Sequence, residues 1–170
     1  MSEGKYILMT DADLSTPIDE IKRFLVWLEG NNYDFVIASR EGLGSDRKDE
    51  PLIRHIMGRI FNLLIRIIVG LNFKDTQCGF KLFKGDEARK IFNKMILFGD
   101  KSQVVKYPKV TAFDVEVLIL AKNYGFQVKE IPVEWKYVPT KRVSAIRDSL
   151  LMLGEILKIR INDLLGLYKK

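Results

Sequence analysis

Apolar and polar positions fall into blocks along the chain, and the period of each block predicts an element. Lys5-Tyr-Ile-Leu-Met-Thr10 is a short apolar run with polar ends, which predicts a buried strand. Ser15-Thr16-Pro17 marks a helix start, with Thr16 as N-cap and Pro17 at the first helical position. Asp19 and Glu20 in the first turn suit the helix dipole. Ile21, Phe24, Leu25 and Leu28 then recur at helical spacing until Gly30-Asn31. Asp34-Phe-Val-Ile-Ala-Ser39 predicts a second strand. Strand, helix, strand in that order predicts an α/β unit with a parallel strand pair.

Residues 40–51 form a polar loop with Gly42, Gly44 and a run of charges between Asp46 and Glu50. A helix is predicted from Leu52 to Val69, ending at Gly70. Gly79-Phe-Lys-Leu-Phe83 alternates like a strand, and Asp86–Phe92 is a short helix with Asp86 near its cap. Residues 97–111 have no clear period. Phe113–Tyr124 is a helix closed by Gly125, and Gln127–Tyr137 is strand-like but broken at Pro132. A last helix or helix pair covers about 144–168. With no repeat, low-complexity tract or linker, residues 1–170 are expected to form a single unit.

Composition narrows the class. The 170 residues carry 28 Lys+Arg against 22 Asp+Glu, a net charge of +6. A chain of this length buries roughly 70% of its unfolded surface in one domain. Apolar residues at 47% and charged residues at 29% exclude a disordered tail. The single cysteine, Cys78, excludes a disulfide framework and a self-contained thiolate zinc site. No targeting signal is expected in Met1-Ser-Glu-Gly-Lys5. The apolar runs 60–71 and 150–167 are too short or too charged to be predicted spans. Both mix an apolar stripe with Lys or Arg, which fits a helix packed on a core or one lying on a membrane surface. The positive charge fits a solvated surface or attraction to anionic lipid or phosphate. Nucleic acid is not expected as a partner, because no zinc finger, RNA-binding aromatic signature or long basic stripe is present.

The chemistry begins at Asp11-Ala12-Asp13, at the end of the first predicted strand. In extended chain, residues two apart point to one side, so both carboxylates are expected to face one point. That edge is where open α/β sheets bind ligands. Two hard oxygens there suit Mg²⁺ or Mn²⁺ sharing its shell with substrate phosphates. The alternative is an Asp turn capping the following helix.

Tyr6-Ile-Leu-Met-Thr-Asp11-Ala-Asp13-Leu-Ser-Thr-Pro17 resembles the metal-binding segment of family-2 inverting glycosyltransferases, specifically the dolichyl-phosphate β-glucosyltransferase and polyprenyl-phosphate sugar synthase branch. Ala38-Ser-Arg40, Asp75-Thr-Gln-Cys-Gly-Phe-Lys-Leu-Phe83, Phe113-Asp-Val-Glu-Val-Leu118, Val128-Lys-Glu-Ile-Pro-Val-Glu-Trp135 and Arg147-Asp-Ser149 match further segments in order. The resemblance spans roughly residues 4–160. It implies a GT-A-like (Rossmann-like) mixed sheet flanked by helices. It also implies transfer of a hexose, glucose from UDP-glucose in preference to mannose from GDP-mannose, onto a polyprenyl phosphate with inversion.

The same resemblance implies the site. Asp13 is the metal ligand and Asp11 helps hold the metal or the nucleotide-sugar, while Ser15 is placed to meet the ion or a water. Arg40 and Arg54 match basic positions that face the acceptor phosphate, with Arg59 as a rival for Arg54; arginine's fork suits phosphate. Asp75 is the candidate to orient or activate the nucleophile, and Gln77 to hydrogen-bond a sugar hydroxyl. Asp114 and Glu116, two apart on a helix, do not share a face, and Asp114 is the second candidate base. Lys141 or Arg142 matches a cation on the donor diphosphate. Cys78, His55, Trp27 and Trp135 read as packing or surface residues, and Gly79 as a place of close backbone approach.

The family's leading Val-Ile-Pro-x-Tyr-Asn-Glu-like strand has no match in this chain. The expectation is therefore the C-terminal portion of a GT-A domain, truncated at the N-terminus, with an amphipathic tail at 144–168. Such a portion would be weak or inactive without a complementing N-terminal half. Peripheral contact at the cytoplasmic face of a membrane is expected from the lipid acceptor. The alternatives are a polyprenyl-phosphate mannosyltransferase, a glycan-directed family-2 transferase, and an inactive fragment serving as a binding or assembly module.

Overall fold

The computed structural model describes residues 2–99, 111–139 and 145–169. In chain order the elements are β1 (Tyr6–Met9), a 3-10 turn (Ile18–Glu20) leading into α1 (Ile21–Gly30), β2 (Phe35–Ser39), β3 (Asp46–Lys48), α2 (Leu52–Val69), β4 (Lys81–Lys84), α3 (Gly85–Phe92), α4 (Phe113–Asn123), β5 (Val128–Pro132), β6 (Glu134–Lys136) and α5 (Ala145–Leu164).

Four strands make a mixed sheet in the order β1-β4-β2-β5. The expected parallel contact between β1 and β2 is absent. Instead β4 lies between them, antiparallel to both, and β2 pairs in parallel with β5. The apolar runs of β1 and β2 predict strands but carry no record of which neighbour each takes. The insertion has a consequence for function. The C-terminal ends of β1 and β2 and the N-terminal end of β4 meet at one edge of the sheet.

Alternation along the strands sends side chains to two apolar layers. Val36, Ala38 and Leu82 face Phe24 and Leu28 of α1. Phe35, Ile37 and Phe83 face the other layer, where α4 is buried on all sides from Val117 to Ala121. Its carboxylate Glu116 is also buried there. It accepts the N–H groups of Ile96, Leu97 and Phe98 at 2.8, 2.9 and 3.1 Å and the Tyr168 hydroxyl at 2.7 Å. Glu116 thus ties two distant segments to the core, while Asp114 two residues earlier turns elsewhere.

The polar loop at 40–51 contains a strand that no apolar pattern announces. β3 exists because its backbone pairs in parallel with β6, forming a separate two-stranded sheet. The start of α1 also differs from expectation. Pro17, not Thr16, is the residue before the 3-10 turn, and no side chain caps it. The Thr16 hydroxyl instead lies 4.0 Å from the Cys78 sulfur. α2 has the expected bounds and closes on Gly70 in the left-handed region (φ 68°), its N–H bonded to the Arg66 carbonyl at 2.9 Å.

α2 is amphipathic in an unusual sense. Toward the core it buries Asn62, Ile65 and Val69. Away from it, Leu52, Ile53, Ile56, Met57, Ile60, Leu63, Leu64 and Ile67 are all exposed, Ile53 by 75% and Ile67 by 71%. Burying such a side chain is worth about 1.5–3 kcal/mol, so leaving eight in water forgoes on the order of 10 kcal/mol. Among the described residues no helix is long and apolar enough to cross a membrane.

Candidate active site

A cavity of about 1090 Å³ opens at the edge where β1, β2 and β4 meet, walled on one side by α2. Its lining is bipolar. Asp11, Asp114 and Asp148 mark an acidic part and Arg40, Arg47 and Arg54 a basic part, with Ile53, Met57, Ile60 and Leu64 of α2 beside them.

Asp11 and Asp13 do not lie on extended chain. β1 stops at Met9, and residues 11–14 form a turn in which the Leu14 N–H bonds to the Asp11 carbonyl at 3.1 Å and Leu14 takes a positive φ of 52°. The two carboxylates are brought together by this turn, not by the period-two rule. Asp13 Oδ1 accepts the Ser15 N–H at 3.0 Å and the Ser15 hydroxyl at 2.7 Å, so Ser15 orients Asp13. Asp11 rests against Gly79. A Cβ at Gly79 would fall 2.2 Å from the Asp11 carboxyl atoms, so only glycine permits this approach. Partial burial raises the Asp11 carboxyl above the usual carboxylate range. The charges of Asp13 and Asp114 raise it further, against smaller opposing effects of Lys81 and Arg40.

Asp75 is in a contrasting position. It is fully buried and does not line the cavity. Its Oδ2 accepts the Arg40 Nε at 2.7 Å and the Arg40 backbone N–H at 2.9 Å. Its Oδ1 accepts Arg40 Nη2 at 2.9 Å and the Gln77 N–H at 3.2 Å. Burial alone would raise this carboxyl, but the Arg40 charge and hydrogen bonds override it and hold Asp75 well below the usual carboxylate range. For Arg40, burial acts to lower the proton affinity, and the Asp75 charge more than offsets it. Glu130 of β5 completes the cage by accepting the N–H groups of Lys74 and Asp75 at 3.0 and 2.7 Å.

Arg54 stands at the start of α2 in the cavity wall, its guanidinium 4.9 Å over the Tyr137 ring and 3.9 Å from Glu50. Arg59 lies in a separate, smaller cavity with Arg66 and Lys74. Gln77 lines the main cavity, and its amide donates to the Met152 sulfur at 3.8 Å. Cys78 is buried and its thiol is pushed up, chiefly by burial, which leaves it a packing residue. His55 faces Glu50 at 3.3 Å. Lys141 and Arg142 lie outside the described residues.

Three residues at the site stand outside the roles that the sequence motifs imply. Arg47 of β3 is bonded to Glu41, Glu50 and the Arg40 carbonyl. Tyr137 becomes a partner of Arg54 only because β6 pairs with β3. Lys81 of β4 is buried and donates to Asp114 at 2.5 Å. Its sequence signal is a lysine sharing a strand face with Phe83.

Among the described residues, no three His, Cys, Asp or Glu side chains form a ready metal cage. Asp11 lines a cavity large enough for phosphates and Asp13 follows in the same turn without lining it; the two carboxylates still fit a hard divalent ion that draws its other ligands from substrate and water. GT-A glycosyltransferases commonly use such ions.

No family model matches the chain. Dolichyl-phosphate β-glucosyltransferase of Dictyostelium discoideum is 32% identical over 173 residues, covering 99% of this chain and 50% of that protein. The enzyme of the same name from Saccharomyces cerevisiae is 30% identical over 178 residues, covering 98% and 50%. Among solved structures, glucosyl-3-phosphoglycerate synthase from Mycobacterium tuberculosis in complex with uridine diphosphate aligns with a TM-score of 0.54 at 13% identity. The match covers 94% of this chain and 50% of that one. The chain spans about half the length of the curated relatives it matches. It is a homologue of the dolichyl-phosphate β-glucosyltransferases, built on the GT-A glycosyltransferase fold.

Proposed function

We propose that this chain carries the metal-binding and acceptor-facing part of an inverting glycosyltransferase that moves glucose from UDP-glucose to a polyprenyl phosphate such as dolichyl phosphate. The observation that carries the reading is the bipolar cavity. Acidic residues suited to a metal-diphosphate group and arginines suited to a phosphate share one space. An apolar wall on α2 continues into the exposed apolar face of that helix.

Asp11 and Asp13 would hold Mg²⁺ or Mn²⁺, which when bound neutralises the leaving diphosphate. Lys141 or Arg142 is assigned by resemblance to the same diphosphate. Arg54 in the cavity wall is proposed to meet the acceptor phosphate, and the acceptor needs little activation because its oxygen is already ionised. Asp114 lines the cavity wall and is proposed to lie beside the attacking oxygen. Arg40 lines the cavity, but its guanidinium is occupied by Asp75. Both are therefore proposed to position the strand ends, with Gln77 left to meet a sugar hydroxyl. The exposed face of α2, flanked by Arg54, Arg59 and Arg66, suits the surface of an anionic membrane, here taken as the cytoplasmic face. A complementing N-terminal half is proposed to supply the base and ribose contacts.

The test mixes the chain with anionic vesicles carrying polyprenyl phosphate, Mn²⁺ and labelled UDP-glucose, with and without a nucleotide-binding half from a relative. Expected results are flotation of the chain at low salt and metal-dependent label in the vesicles, abolished by Asp13→Ala. Absence of both label and saturable Mn²⁺ binding in either mixture would defeat the reading.

A further inference from the structure

Lys81 occupies a position that packing would give to an apolar side chain. Its neighbours across the sheet are Met9 of β1 and Ile37 of β2, and its side chain is 1% exposed. The ammonium donates to the Cys78 carbonyl and to Asp114 Oδ1, both at 2.5 Å. Burying an ammonium is costly, and exchanging a buried ion pair for well-packed apolar residues is often neutral or stabilising. Stability therefore gives little reason for a lysine here. What a lysine does that a methionine cannot is hold an anion, and the anion it holds, Asp114, lines the cavity.

The surroundings sharpen the point. Asp11, Asp13, Asp75 and Asp114 cluster around this sheet edge, and Asp75 already has Arg40. Asp114 sits in the first turn of α4, where the helix dipole favours a carboxylate but does not fix its direction. The 2.5 Å bond from Lys81, on the inner strand β4, supplies that direction.

We propose that Lys81 is a positioning residue of the site: its buried ammonium fixes the Asp114 carboxylate at the cavity wall, beside the place of the attacking acceptor oxygen, without itself touching substrate. The role of Asp114 in this statement rests on the transferase reading above.

Lys81→Met removes the charge at similar length and volume. In a crystal structure of this variant Asp114 is expected to leave the cavity wall, and an unmoved Asp114 overturns the proposal. This readout is independent of sugar transfer. If neither transfer nor saturable Mn²⁺ binding is found with or without the complementing half, the transferase reading fails, and the crystal structure alone then decides whether Lys81 holds Asp114. In a preparation that does transfer, kcat is expected to fall at least about tenfold with donor KM within about twofold. The double variant Lys81→Met/Asp114→Asn should be no slower than Asp114→Asn alone. Losses that multiply would overturn the proposal, since Lys81 would then act by another route. If Lys81→Met does not fold, Lys81→Gln, which keeps a donor and loses the charge, is judged by the same readouts.

Discussion

Asp75 and Asp11 approach the same edge of one sheet and have opposite electrostatic fates. Asp75 is buried with a guanidinium across both oxygens and is held strongly ionised. Asp11 stands at the cavity with Asp13 and Asp114 as like-charged neighbours and is pushed toward its neutral form. The first arrangement satisfies every demand of a carboxylate within the protein. The second leaves a demand that a cation from outside can meet. The difference separates a carboxylate whose charge the fold pairs from one whose charge the fold leaves crowded, and both kinds occur in the motifs that carry the family resemblance.

The comparison breaks most severely at Asp75. Asp75→Asn leaves the buried Arg40 charge without its partner, a defect that costs about 3–5 kcal/mol. For a chain of this size that lowers Tm by roughly 10 °C, measurable by thermal or urea unfolding. Acid should reproduce part of the effect. The folded-state pKa of Asp75 lies below its unfolded value of about 3.9, so its stabilisation is fully present above that value and is lost as pH falls below it. The wild-type chain should lose stability faster than Asp75→Asn across that acid range. Parallel curves would show that Asp75 is not the anchor described.

Gly79→Ala should break the other side of the comparison and spare the fold. The added Cβ would meet the Asp11 carboxyl, the end of a flexible side chain that can swing away. Stability is expected to change by less than about 1 kcal/mol, while Mn²⁺ affinity measured by calorimetry falls about tenfold or more. Unchanged affinity would mean that the position of Asp11 against Gly79 has no bearing on metal binding.

How far this site was legible in the sequence depends on the range of the interaction involved. α2 was legible to the residue, because Pro51, the apolar period and Gly70 are local signals. Its exposed apolar face was not, since periodicity reports that a stripe exists and not which stripe meets the core. Asp11 and Asp13 were legible as a pair, but the turn that joins them depends on Leu14 at positive φ, a conformation that leucine gives no reason to expect. The Arg40–Asp75 pairing follows from β4 entering between β1 and β2, a long-range event that no local pattern encodes. β3 was hidden for the same reason: Asp-Arg-Lys has no strand signature, and its partner lies in residues 134–136. Local patterns thus located the residues that are locally determined, while the partners of Asp75 and Arg40 were set by topology.

The smallest expected effect is also the one that most directly weighs Asp11 against Asp75. Asp11→Asn removes a carboxylate crowded by Asp13 and Asp114, so in metal-free solution near neutral pH it should be slightly more stable than wild type, by about 1–2 °C in Tm given its exposure. The sign follows from the raised folded-state pKa. Ionising Asp11 costs the folded state more than the unfolded one, so the penalty is present above the folded pKa and disappears as pH falls below the unfolded value of about 3.9. The gain should therefore vanish in acid, whereas the loss from Asp75→Asn also shrinks there from the opposite sign. Added Mn²⁺ should raise the Tm of wild type and leave Asp11→Asn nearly unmoved. A destabilised Asp11→Asn at neutral pH without metal would place Asp11 with Asp75 among the residues that hold the fold, and the contrast between them would collapse.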